Sequence, residues 1–137
     1  MSDKPRLFYY ILRNYTKIND ILNVCLDAED ITAGQYTILS VLARIEPATS
    51  AELARRQKIT SQTMGETLGI LESKGLIERE LSSENKRNIL VRRTKKGAAL
   101  QARCDAIVRK AEKKYVASMS PDEAEHLTKV LANLYYS

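Results

Sequence analysis

The chain is poor in the residues that most often carry chemistry. Its 137 residues include one histidine, two cysteines, one phenylalanine and no tryptophan. Cys25, Cys104 and His126 stand far apart, so they lack the close spacing of a structural zinc site. There is no nucleophile elbow, phosphate-binding glycine loop or metal-ligand cluster, which argues against an enzyme and against any cofactor or metal. No apolar run approaches the ~20 residues that a membrane-spanning helix needs. Arg13 and Lys17 interrupt the apolar part of "MSDKPRLFYYILRNYTKIND", which is not the layout of a secretory leader. The expectation is a cytoplasmic protein with no membrane partner, whose cysteines are small buried hydrophobes.

Acidic residues are missing from one stretch. From Lys86 to Lys96 there are six basic side chains and no acidic one. The net charge is +5, which favours an acidic partner without naming it. Aromatic residues are missing from the middle. All eight lie outside 37–114: Phe8, Tyr9, Tyr10, Tyr15, Tyr36, Tyr115, Tyr135 and Tyr136. A compact central module with an aromatic-rich layer built from the chain ends follows from that distribution.

What is present is mostly helical periodicity. Ile11, Tyr15, Ile18, Leu22 and Cys25 form one apolar seam of a helix over Arg6 to Ala28. "EDITAG" breaks it, Thr32 can cap the next helix, and that helix runs from Ala33 to Ile45 before Pro47. Thr49 followed by Glu52 is a capping-box pattern opening a short helix to about Gln57. After the "KITS" turn, Thr60 or Ser61 caps a further helix to about Lys74, with Met64, Leu68 and Leu71 on its buried stripe and Gly75 at its end. Two short helices joined in this way are a helix-turn-helix. The period then changes to two in "LIEREL" and "NILVRRT", which flank the polar turn "SSENKR". A hairpin directly behind a helix-turn-helix is a wing. A helix from Thr94 to about Ser118 and a last one opened by Ser120 and Pro121 complete the chain.

The fold class is therefore mainly α with a small β-hairpin wing. Residues 1–137 are read as one domain, with a winged helix-turn-helix module at 33–97. The small module cannot cover the outer helices, 6–28 and 98–137, so these are expected to pack on a second copy as a two-fold homodimer.

Ser61, Gln62, Thr63, Gly65 and Glu66 stand at the start of the second helix of the helix-turn-helix. Gln can pair with adenine, Ser and Thr with several base-edge groups, and Glu can accept from the cytosine amine. Lys86 and Arg87, at the hairpin tip, suit the negative potential of a minor groove. Lys74, Arg92, Arg93, Lys95 and Lys96 are expected to meet phosphates or form a basic surround. Each of these cations taken singly has solvated surface as its other reading, Lys95 and Lys96 as readily as not. Gly65 and Gly69 inside a helix imply either close approach of a neighbour or simple tolerance. Double-stranded DNA is the expected partner. A winged helix used as a protein-interaction module is the alternative, as is a regulator under redox control through Cys25 or Cys104.

These residues resemble the MarR family of bacterial transcription regulators over nearly the whole chain. "DITAGQYTILSVL" is similar to the family's second helix, "TSAELARRQKITSQTMGETLGILESKGLIERE" to its helix-turn-helix, and "NKRNILVRRTKKGAAL" to its wing and following helix. Three positions depart from the family pattern: Asn85 for the wing Asp, Arg93 for a Leu, and Glu66 for a frequent basic residue. Asn85 would hold the neighbouring Arg87 less firmly than Asp, and Arg93 would enrich the basic surface. The resemblance implies a homodimer on a pseudo-palindromic operator, usually as a repressor. It also implies, in many members, release by a small aromatic or phenolic effector bound between the outer helices and the winged module. Tyr10, Tyr15, Tyr36 and Tyr115 are the candidates for that pocket, with dimer core as their other reading.

Overall fold

Hydroxyl side chains set most of the helix starts. A computed structural model describes residues 3–84 and 88–137. It contains helices α1 (Leu7–Leu26), α2 (Ala33–Ile45), α3 (Ser50–Gln57), α4 (Ser61–Ser73), α5 (Lys95–Tyr115) and α6 (Pro121–Tyr135). Thr32, Thr49, Thr60, Thr94 and Ser120 each accept a hydrogen bond from the backbone N–H three residues on. Such a cap satisfies a donor that the helix itself leaves open, and its loss costs about 1 kcal/mol. At Thr32 and Ser120 the box is reciprocal, through Gln35 and Glu123. At Thr49 only half of the expected box is present, because Glu52 turns to Arg56 instead, 3.3 Å away.

Helix α1 contains the whole apolar seam but ends before the expected boundary at Ala28. It stops at Leu26, a 3₁₀ turn covers Asp27–Glu29, and Asp30 then takes a left-handed conformation at φ 54°. Aspartate visits that region more readily than most residues.

Among the described residues the sheet has three strands, not two. Strands β2 (Ile77–Leu81) and β3 (Ile89–Arg93) form the expected antiparallel hairpin, from Ile77 opposite Arg93 to Leu81 opposite Ile89. On the far side of β3 lies β1 (Ala48–Thr49), pairing Ala48 with Val91 and Thr49 with Leu90. Two residues between Pro47 and a helix carry no readable alternation, so this strand left no signal in the sequence.

The core is aliphatic and lies among α2, α3, α4, α5 and the sheet. Leu39, Leu42, Leu53, Met64, Leu68, Leu71, Val91 and Cys104 are fully buried, and Leu26 joins them from the end of α1. The junction of hairpin and α5 is tight. Thr94 donates through its N–H to the Leu76 carbonyl (3.1 Å) and through its hydroxyl to the Gly75 carbonyl (2.6 Å). Gly75 ends α4 at φ 76°, where a side chain is unfavourable. A methyl on Gly97 would lie 2.0 Å from the Leu76 oxygen, so only glycine fits where α5 crosses the start of the hairpin.

Outside this core, α1 and α6 bury almost nothing. Leu26 is the only buried residue of α1, and α6 has none. Their exposed apolar side chains include Leu7, Phe8, Tyr10, Ile11, Leu12, Tyr15, Val130, Leu131, Leu134 and Tyr135. An apolar surface of this extent marks an interaction face. None of the described helices is long and apolar enough to cross a membrane.

Candidate nucleic-acid interface and adjoining cavity

Helix α4 presents two faces. Met64, Leu68 and Leu71 fix it to the core, which leaves Ser61, Gln62 and Glu66 exposed on the outside. Glu66 makes no ion pair among the described residues. The other acid of this face, Glu72, is held by Arg79 at 2.9 Å. The hydrogen bond from Arg79 keeps the Glu72 carboxyl below its ordinary range and raises the guanidinium. Half-buried Gly65 and Gly69 have no atom within 4 Å of where a Cβ would stand, their chain neighbours and the helix's own backbone aside. Nothing in the protomer therefore explains two glycines in one helix.

The basic side chains divide by what holds them. Arg92 spans the hairpin to Glu80 at 2.8 Å. Lys74 reaches back from the end of α4: its ammonium donates to the Asp30 carbonyl (2.5 Å) and to Gln35 Oε1 (3.4 Å), with the Asp30 carboxylate at 3.7 Å. Lys96 donates to the Lys74 carbonyl at 2.8 Å. Arg93 departs from its expected place in the basic surround. Its Nε and backbone N–H both donate to Glu46 Oε2 (3.0 and 3.1 Å), and its other nitrogens reach Glu46 Oε1 (3.2 Å) and Gln101 Oε1 (2.8 Å). That bonding holds the Glu46 carboxyl below its ordinary range. Arg93 is thus a brace joining the end of α2, β3 and α5. Lys86, Arg87 and Asn85 lie outside the described residues. Arg55 and Lys58, exposed around the turn from α3 to α4, extend the basic character of this side. The run "ARRQK" at the end of α3 is their signal in the sequence.

Of the four tyrosines expected to share a pocket, Tyr10, Tyr15 and Tyr115 line one groove and Tyr36 stands apart from it. Tyr36 donates its hydroxyl to Asp105 Oδ1 at 2.5 Å, tying α2 to α5. Burial first, and then that hydrogen bond to a carboxylate, push its pKa up to about 12. Tyr115 bonds Asn14, and the Lys17 ammonium lies 5.7 Å from the Tyr115 ring centre. Tyr10, Tyr15 and Tyr115 line an open apolar groove between α1 and the α5–α6 region. Tyr15 alone also lines a second, half-open cavity of about 490 Å³ bordered by α1, the start of α2 and the α3–α4 turn. Thr63 and Thr67 of α4 form one wall of that cavity, with Asn19, Gln35 and Gln57 opposite and beside them. Of the cysteines, Cys104 is buried and Cys25 half-buried. Burial raises the Cys104 thiol, with the nearby Glu29 charge adding to the rise.

A family model described as the MarR family matches residues 29–88, from the end of the 3₁₀ turn after α1 to the residue before β3. The chain belongs to the MarR family. The HTH-type transcriptional repressor Rv2887 of Mycobacterium tuberculosis is 27% identical over 134 residues, covering 98% of this chain and 96% of the relative. A cysteine-to-serine mutant of MarR from E. coli, in complex with operator DNA, superposes with a TM-score of 0.82 at 28% identity, covering 93% of this chain and 92% of that one. Rv2887 in complex with p-aminosalicylic acid gives a TM-score of 0.80 at 26% identity, covering 95% and 98%.

Of the aromatic candidates that the MarR-family resemblance implies for an effector pocket, Tyr15 lines this cavity, and Tyr10, Tyr15 and Tyr115 line the groove beside α1. In the sequence Thr63 is a candidate base-edge contact, and Asn19, Gln35 and Thr67 carry no signal of a pocket. Their convergence depends on how α1 crosses α2 and α4, which no local pattern encodes.

Proposed function

We propose that this protein is a homodimeric, cytoplasmic DNA-binding transcription regulator, acting as a repressor on a pseudo-palindromic operator. Helix α4 enters the major groove, where Gln62, Ser61 and Glu66 meet base edges and Thr63 and Gly65 line the approach. The hairpin, which carries Lys86 and Arg87 in sequence, reaches the adjacent minor groove, and Arg92 supports it through Glu80. Half-sites lie ~10 base pairs apart, or a multiple of that. The outer helices, 6–28 and 98–137, pair with their copies in a second chain, which covers the apolar faces of α1 and α6. A small molecule in the cavity behind α4 releases the operator. The observation that carries this reading is the face of α4: exposed amide, hydroxyl and carboxylate groups beside two glycines with open space over them. The operator complex of the E. coli mutant and the p-aminosalicylic acid complex of Rv2887 support it by likeness.

Selection of bound duplexes from a random pool tests the DNA reading directly. A two-fold symmetric consensus is expected, and Gln62→Ala should relax preference at one base position in each half-site by about 1–3 kcal/mol. A Gln62→Ala protein that loses affinity equally for all duplexes would place Gln62 on the backbone only.

A further inference from the structure

The cavity behind α4 is unusual in what lines it. None of the described residues around it is a lysine, arginine or histidine. Three carboxamides, Asn19, Gln35 and Gln57, stand around an apolar surface that includes Ile18, Leu22 and Ile38, and hydroxyls come from Thr63 and Thr67. The start of α2 also borders it, and helix starts favour anions when their N–H groups are free. Here they are largely occupied. Ala33 N–H donates to Asn23 Oδ1 (2.8 Å), Gln35 N–H to Thr32 Oγ1 (3.1 Å) and Thr32 N–H to Gln35 Oε1 (3.2 Å). The cation that bonds a lining residue is Lys74, which reaches Gln35 without joining the lining and is itself engaged by Asp30.

From this lining we infer that the cavity selects an uncharged, largely apolar molecule bearing an amide or hydroxyl group over the corresponding carboxylate. The inference rests on the proposed effector role of the cavity and names its ligand class. A carboxylate entering this half-open space exchanges part of its water for neutral donors alone, and an ion left without a counter-charge is costly to desolvate. A carboxamide loses far less, because Asn and Gln side chains offer it both a donor and an acceptor. The volume of about 490 Å³ suits a molecule of one or two rings.

A matched pair tests it: p-aminosalicylic acid and its amide, which differ in one group, titrated calorimetrically into the full-length protein at neutral pH without DNA. The amide is expected to bind roughly tenfold or more tightly than the acid, a difference of about 1.4 kcal/mol. Gln57→Lys, at the last residue of α3 where a cation is well tolerated, should reverse the order by giving the acid a counter-charge. Equal or tighter binding of the acid to the parent protein overturns the inference, as does binding of neither compound. An unchanged preference in Gln57→Lys overturns it too, by placing the amide elsewhere. Since no duplex is present, failure here stands apart from failure of the DNA reading, which duplex selection decides.

Discussion

Alanine at position 97 would press its methyl against the Leu76 carbonyl, 2.0 Å from its oxygen. Neither partner can yield easily. The Leu76 oxygen already accepts from Thr94 N–H, and Gly97 sits in the first turn of α5, where its N–H is held by Thr94. Gly97→Ala should therefore lower stability by about 1–3 kcal/mol or more, read as a shift in the urea unfolding midpoint. An unmoved midpoint would show that the junction relaxes freely. At this scale the sequence was only partly legible. The cap residues could be read because each acts on an N–H three positions away. Arg93 could not: its partner Glu46 lies 47 positions off, and a lone arginine in a basic run resembles its neighbours. The partner of Tyr36 was hidden for the same reason, since Asp105 is 69 positions distant.

At the scale of elements, α4 carries a cost that its own fold does not repay. A glycine inside a helix costs about 1 kcal/mol relative to alanine, and the space over Gly65 and Gly69 is empty. Gly65→Ala and Gly69→Ala are each expected to stabilise the protein by about 0.5–1 kcal/mol, measured by thermal unfolding. Gly65→Ala should also weaken duplex binding, because the added methyl stands on the side proposed to approach DNA. Stabilisation with unchanged affinity would mean that Gly65 is merely tolerated. The helices α1 to α6 and the hairpin were legible, because caps, breakers and a change from helical to alternating period mark their ends. The strand β1 was not, because two residues hold no period. Helix α1 was read slightly too long, since Ala28 continues its composition while Asp30 turns the backbone away.

For the whole molecule, the decisive feature is the division between a sealed aliphatic core and an uncovered aromatic-rich layer. The distribution of tyrosines announced that division, and the exposed faces of α1 and α6 match it. Leu131 of α6 is 46% exposed, so Leu131→Asp should leave each chain folded while separating the pair. Sedimentation should show a single-chain mass with an unchanged far-UV spectrum, and duplex affinity should fall at least tenfold as the two half-sites cease to be bound together. A dimer that persists would move the pairing surface away from α6. The cavity was the least legible feature at any scale, because it is a space between helices whose linings are each unremarkable.

Thr63 and Thr67 face the cavity from a helix whose outer side is proposed to lie on the operator. One helix thickness separates the two occupants, and thermodynamic linkage then runs in both directions. Whatever factor a cavity ligand takes from operator affinity, the operator takes from ligand affinity. The dose that empties half the operators would accordingly rise as more operator is supplied, so sensitivity to the effector becomes a property of gene copy number as well as of the protein.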